Sequence, residues 1–176
     1  SVASRGLGDV YKRQIVNGGV VVMNPWNGRV YALVGGYNFD LNQFNRVTQA
    51  KRQPGSAFKP FVYAAALENG FKPNDLILDA PFVLDQNKGE FKWKPSNYGK
   101  KFYGLNTFRS GIEKSKNLTT VRIAQKVGLD KINTISKKLN IYNEPIQILS
   151  YSLGSGETNL INLCLLYTSD AADDLL

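Results

Sequence analysis

The chain has 176 residues, 43% of them hydrophobic and 20% charged, and carries a formal net charge of +8. Length and composition allow one domain with a real core, and no run of about 20 apolar residues exists to form a transmembrane helix. The basic balance suits anionic partners such as nucleic acid, an anionic membrane face or an acidic polymer, without choosing among them, and a solvated basic surface is the plain alternative. Histidine is absent, which removes the usual imidazole base, and the single cysteine, Cys164, supports no disulfide, metal or nucleophile argument.

The two ends read differently from the middle. Residues 1–14 and 164–176 resemble translated sequencing-adaptor read-through and are set aside, as tags and scars are, so the coherent stretch is expected to be 15–163. No secretory signal pattern is present.

In chain order, residues 20–34 predict a β-hairpin, with two β-branched runs flanking the turn-rich insert Asn24-Pro-Trp-Asn-Gly28 and Gly35-Gly36 ending the second strand. Residues 37–53 are polar and loop-like. A helix is expected over 61–68, with Pro60 in its first turn, where the missing N–H is harmless, and Asn69-Gly70 as its stop. Residues 76–84 read as extended, because Pro81 disfavours helix around it. Residues 85–105 read as a long loop in which Trp93, Tyr98, Phe102 and Tyr103 sit among Lys88, Lys92, Lys94, Lys100 and Lys101. Such interleaving can bind single-stranded nucleic acid, line a groove for a polar polymer, or pack back on the domain; no recognised RNA-binding motif accompanies it, so nucleic acid is not the expected partner.

Further on, Thr107 is expected to cap a helix through about Glu113. After a break at Ser115-Lys-Asn117, a helix covers 120–127 and ends at Gly128. Asp130 is expected to cap the next helix, with Ile132, Ile135 and Leu139 on one face. Residues 146–153 are apolar and ambiguous between strand and helix, and 154–158 form a turn that can open another helix. No internal repeat, metal-ligand cluster or Gly-rich phosphate loop is visible; Gly154-Ser-Gly156 lacks the later glycine and lysine such loops use.

The chemistry centres on Arg52-Gln-Pro-Gly-Ser-Ala-Phe-Lys-Pro60. A serine nucleophile needs a neighbouring base, and with no histidine a lysine three residues on is the best remaining candidate. The expected helix puts Ser56 at or just before its N-terminus, among free N–H groups and the positive end of the dipole, and puts Lys59 on the same face. A lysine acts as a base only when desolvated or set near other cations, and Lys51, Arg52 and Lys116 are candidates for the second effect. By itself Ser-x-x-Lys is expected about once by chance in a chain of this composition, and an N-capping serine before a surface lysine explains it as well. Ser115-Lys-Asn117, in a short inter-helix connector, is the second constellation: a hydroxyl and an amide able to project into a cleft, or simply a turn with a capping Asn.

Together these segments resemble the transpeptidase domain of class A penicillin-binding proteins, the bifunctional peptidoglycan synthases. Ser56-x-x-Lys59 and Ser115-x-Asn117 are similar to two of the three superfamily motifs, with Lys116 where β-lactamases have Asp. The likeness extends to Gly35-Gly-Tyr-Asn-Phe-Asp40, to the whole of 43–70, to Trp93-Lys-Pro-Ser-Asn-Tyr98 and to Leu153-Gly-Ser-Gly-Glu157.

The resemblance implies an α+β fold, an antiparallel sheet with helices, of the penicillin-binding transpeptidase and serine β-lactamase type. It implies Ser56 as nucleophile toward D-Ala-D-Ala stem peptides of peptidoglycan and toward β-lactams, with Lys59 as general base and Ser115 and Asn117 assisting. The Ser56 backbone N–H would be half of an oxyanion hole. No cofactor or metal is implied. The parent is expected to be membrane-anchored, at the outer, periplasmic face of a bacterial inner membrane, with a glycosyltransferase domain upstream.

One departure matters: the family's Lys-Thr/Ser-Gly motif is absent from this sequence. On that account the fold is expected to be truncated before the strand bearing it, with an unpaired sheet edge, and the chain as written to be inactive. A D,D-carboxypeptidase or serine β-lactamase is the alternative within the superfamily. A basic non-enzymatic polymer-binding domain is the alternative from another class.

Overall fold

The computed structural model describes residues 17–86, 91–142, 144 and 148–168. The hairpin forms as the sequence predicts: β1 (Val20–Met23) pairs antiparallel with β2 (Val30–Val34), Val20 opposite Val34 and Met23 opposite Val30, with a register shift between Val22 and Met23. Asn24 organises the turn, its Oδ1 accepting from the N–H groups of Trp26 and Asn27.

The Ser56 region is helical earlier than expected. A 3-10 turn over Gly55–Phe58 runs directly into α1 (Lys59–Glu68), with Pro60 in the first turn and Asn69 as the C-cap. The 3-10 start fits the local chemistry, since Pro60 has no N–H to give an α-helical bond back to Ser56.

Next come β3 (Leu76–Asp79), β4 (Leu84–Gln86), β5 (Phe91–Trp93) and β6 (Gly104–Thr107). The loop expected over 85–105 is therefore corrected. Its start is a β4–β5 hairpin and its end is β6, paired antiparallel with β3 so that Asp79 faces Gly104. Residues 87–90, with Lys88, lie outside the described residues. Trp93 packs against Phe82, ring centroids 6.3 Å apart, which explains the pairing better than the polar composition between them does.

Thr107 caps α2 (Phe108–Glu113), its Oγ1 accepting from Ser110 N at 3.2 Å. Helices α3 (Asn117–Val127) and α4 (Leu129–Lys138) meet at Gly128, whose φ of 90° permits the sharp turn. Asp130 sits in the first turn of α4 rather than at its cap, which is Gly128; the short connection leaves no room for a separate capping residue. Residues 145–147 lie outside the described residues, and Leu149–Leu153 forms a 3-10 turn, so the ambiguous apolar stretch is helical where it is described. Helix α5 (Leu160–Leu165) follows, capped by Asn159. Beyond it Tyr167 donates to the Ala57 carbonyl at 2.6 Å.

The core lies between α1, α3 and α4, where Phe58, Val62, Leu118, Val121, Ile123 and Ile132 are all fully buried. Because α1 and α3 pack on each other, the residue that begins α1 and the connector that begins α3 face one another at one end of the helix pair. That end carries the candidate chemistry.

Candidate active site

Lys59, the first residue of α1, is 2% exposed. Its Nζ donates to Ser115 O at 2.6 Å, Ser115 Oγ at 2.9 Å and Asn117 Oδ1 at 2.7 Å. An ammonium has three protons, and these three acceptors use all of them. Burial lowers the Lys59 pKa to about 8 from 10.5. Desolvation is thus the operative effect, and the neighbouring cations expected from the sequence are not. Lys51 and Arg52 are exposed, and Lys116 is turned away into an ion pair with Asp79.

Ser56 lies in the 3-10 turn and is exposed, so its hydroxyl is open to an incoming molecule. Among the described residues no hydrogen bond joins Ser56 Oγ to Lys59 Nζ; the amine is engaged with the second constellation instead. Three of the four predicted residues, Lys59, Ser115 and Asn117, are therefore in direct contact, and Ser56 stands one turn of helix before Lys59.

The approach to Ser56 is held from outside. Arg52 and Thr158 exchange two backbone hydrogen bonds, 2.8 and 3.0 Å, and Gly55 N donates to Gly154 O at 3.1 Å. Gly154 has φ 79°, and a Cβ there would collide with the Gly55 backbone. The loop Gly154-Ser-Gly156, which reads in sequence as a turn within the family-like stretch Leu153–Glu157, is thus a brace under the Ser56 segment.

The Ser115 connector has its own device. Ser115 N donates to Ile112 O and Lys116 N to Gly111 O, both at 2.9 Å, which is the left-handed helix ending usually made with glycine. Here a serine takes that place, at φ 48°. Lys116 then precedes α3 without offering a side-chain cap. The cap comes from elsewhere: Asn97 Oδ1 accepts from Asn117 N at 3.0 Å and Leu118 N at 3.3 Å. Asn97 Nδ2 donates to Asp79 Oδ1 at 2.7 Å and to Lys101 O at 3.0 Å. Asp79 is fully buried, with its other oxygen 3.4 Å from Lys116 Nζ, over which the Tyr103 ring lies at 4.4 Å. Sequence reasoning missed Asp79 and Asn97. A lone carboxylate in the apolar run Leu76-Ile-Leu-Asp79 was the available signal.

Short antiparallel pairs, a buried three-helix core and a buried lysine facing a Ser-x-Asn connector make up a scaffold of the α+β type. Comparison with known proteins gives the family. The penicillin-binding protein transpeptidase domain model matches residues 18–160, and the chain belongs to that family. It is 54% identical over 157 residues to penicillin-binding protein 1A of Rickettsia conorii, spanning 88% of this chain and 20% of the relative. It is 36% identical over 161 residues to penicillin-binding protein 1A of Neisseria lactamica, again 20% of the relative. The chain thus spans about one fifth of the length of the curated relatives it matches. A crystal structure of penicillin-binding protein 1A from Haemophilus influenzae superposes with a TM-score of 0.75 at 31% identity, covering 84% of this chain and 22% of that one. The PonA1 protein of Mycobacterium tuberculosis in complex with penicillin V has a TM-score of 0.69 at 23% identity, covering 84% of this chain and 41% of that one, a likeness of fold. The α+β penicillin-binding transpeptidase fold expected from the sequence is therefore the fold observed.

Proposed function

We propose that this segment supplies the nucleophile, base and second motif of a peptidoglycan D,D-transpeptidase. The observation that carries the reading is the buried Lys59 amine, with a pKa near 8, held by Ser115 and Asn117 one helical turn from an exposed serine. Ser56 Oγ attacks the carbonyl of the penultimate D-alanine of a stem peptide while neutral Lys59 takes its proton. The bond to the terminal D-alanine breaks, and Ser115 Oγ, 2.9 Å from Lys59 Nζ, relays the proton to the leaving amine. The resulting ester on Ser56 is resolved by an amine of a neighbouring stem peptide, which forms the cross-link. Asn117 holds the substrate backbone through the Nδ2 proton that its bond to the Ser96 carbonyl leaves over. A β-lactam acylates the same oxygen and remains there.

The family membership and the likeness to penicillin-binding protein 1A of two genera support a parent that is anchored at the outer face of a bacterial inner membrane and is also a glycosyltransferase. Among the described residues no helix is long and apolar enough to cross a membrane. The Lys-Thr/Ser-Gly segment that would bind the substrate carboxylate and complete the oxyanion hole is not in this sequence, so the 176-residue chain alone is read as unable to turn over.

The test is Ser56→Ala in the full-length protein that carries this segment, read by covalent capture of a fluorescent penicillin. Labelling is expected to vanish with the fold intact; persistent labelling removes Ser56 as nucleophile. Slow release of the acyl group is expected, and rapid turnover of penicillin would favour a β-lactamase instead.

A further inference from the structure

We propose that Asn97 and Asp79 are positioning residues that hold the Ser115–Asn117 turn against Lys59, a role that rests on the reading of Ser56 and Lys59 as nucleophile and base. Neither side chain touches Lys59, and both act through the turn.

The turn does not sustain itself. A non-glycine residue at φ 48° is strained and persists only where its surroundings over-determine it. On the α2 side the helix-ending hydrogen bonds of Ser115 and Lys116 supply part of that constraint. On the α3 side the constraint is Asn97, whose oxygen receives both Asn117 N and Leu118 N in place of the missing local cap. The neighbouring Ser96 carbonyl accepts from Asn117 Nδ2 at 2.8 Å, so the Asn117 amide has its nitrogen tied and its oxygen left for Lys59. Residues 96 and 97 therefore fix the start of α3 and the side chain of its first residue together.

Asn97 is itself aimed. Both protons of its Nδ2 are used, one on Asp79 Oδ1 and one on Lys101 O, which leaves its oxygen pointing at α3. Asp79 binds the middle residue of the connector as well, through Lys116 Nζ. A fully buried carboxylate without partners is strongly disfavoured, so Asp79, Lys116 and Asn97 are set in mutual dependence. The result ties strand β3 to the N-terminus of α3 through Lys116, Asn117 and Leu118, which follow the strained serine. Withdrawing Asn97 frees Ser115 O, Ser115 Oγ and Asn117 Oδ1 from the amine as a group.

The experiment uses the full-length protein and follows the acylation rate by a fluorescent penicillin across pH, together with the final stoichiometry of label. Asn97→Ala is expected to slow acylation by about 10- to 100-fold, less than the roughly 10²- to 10⁴-fold that a positioned acid–base group contributes, because the base itself remains, while still reaching full labelling of Ser56. The pH midpoint of acylation is expected to move down, because acceptors that favour the ammonium leave it. The exchange Asn97→Asp with Asp79→Asn keeps the acceptor for α3 and a donor–acceptor contact between the two positions, and is expected to recover the rate to within about fivefold. Asn97→Ser, whose hydroxyl is too short to reach both N–H groups, is read by the same criteria where Asn97→Ala is not recovered folded. A rate within about twofold of the unchanged protein overturns the proposal. So does a reduced active fraction with an unmoved midpoint, which is what loss of structure alone produces. Absence of label on the unchanged protein defeats the reading of Ser56 itself, and is seen before any variant is made.

Discussion

The helical layer around α1 and α3 and the β1–β2 hairpin are written in similarly apolar residues, yet they end in opposite states. Val62, Leu118, Val121 and Ile132 are wholly buried, whereas all five residues of β2 are exposed, Tyr31 at 63% and Val34 at 55%. The helices bury one another, and the hairpin face has no such cover among the described residues. Apolar sequence states a need for a partner without saying where the partner is. The proposed site sits in the half that found its partner, and its buried amine keeps a lowered pKa only inside packing that excludes water.

The largest effect that sharpens this contrast is Leu118→Ala in the full-length protein. It is expected to cost about 3 kcal/mol, since a fully buried leucine at the α1–α3 contact leaves a cavity behind. Denaturant unfolding checks it, and a cost below about 1 kcal/mol would break the distinction between the two regions.

Next is pH. The proposed base Lys59 would act only when neutral, so acylation is expected to rise about tenfold per unit up to about pH 8 and then level off. Its native pKa is depressed, so the unfolded chain keeps its proton over a range where the native chain has lost it. Stability is therefore expected to rise from about pH 8 toward 10. Above that, the buried phenols of Tyr63 and Tyr142, whose pKa values are raised, act the other way. A stability curve that is flat between pH 8 and 10 in the unchanged protein would contradict the burial of the amine.

The smallest effect belongs to the hairpin. Tyr31→Thr keeps β propensity at an exposed strand position and is expected to change the stability of the 176-residue chain by less than about 0.5 kcal/mol. A large loss would show that β2 is covered after all.

The site was legible in the sequence wherever the signal was local. Pro60, Asn69 and Thr107 punctuate helices by their own local chemistry, and of the residues singled out by type and spacing the fold brings Lys59, Ser115 and Asn117 into contact. What escaped was non-local. Asn97 caps a helix that begins 20 residues later, and no rule of spacing links it to Lys116. The strand β6 is half of a pair whose other member is β3, so its composition alone reads as loop. Ser115 at a left-handed helix end contradicts the local preference for glycine and is explained only by the contacts on either side of it. Of the cations credited with tuning Lys59, Lys51 and Arg52 are exposed, and the fold sends Lys116 to Asp79.

The three acceptors around Lys59 carry a further consequence. A tetrahedral nitrogen has one direction for its carbon and three for protons or a lone pair, and here every one of the three is aimed at an oxygen. When the amine gives up a proton, its three partners cease to be alike: the Ser115 carbonyl and the Asn117 amide oxygen can only accept, whereas the Ser115 hydroxyl can turn and donate to the lone pair. The contact with that hydroxyl therefore survives the loss of charge by reversing its direction. Protonated and neutral lysine can share one position, and the serine hydroxyl is what registers the difference.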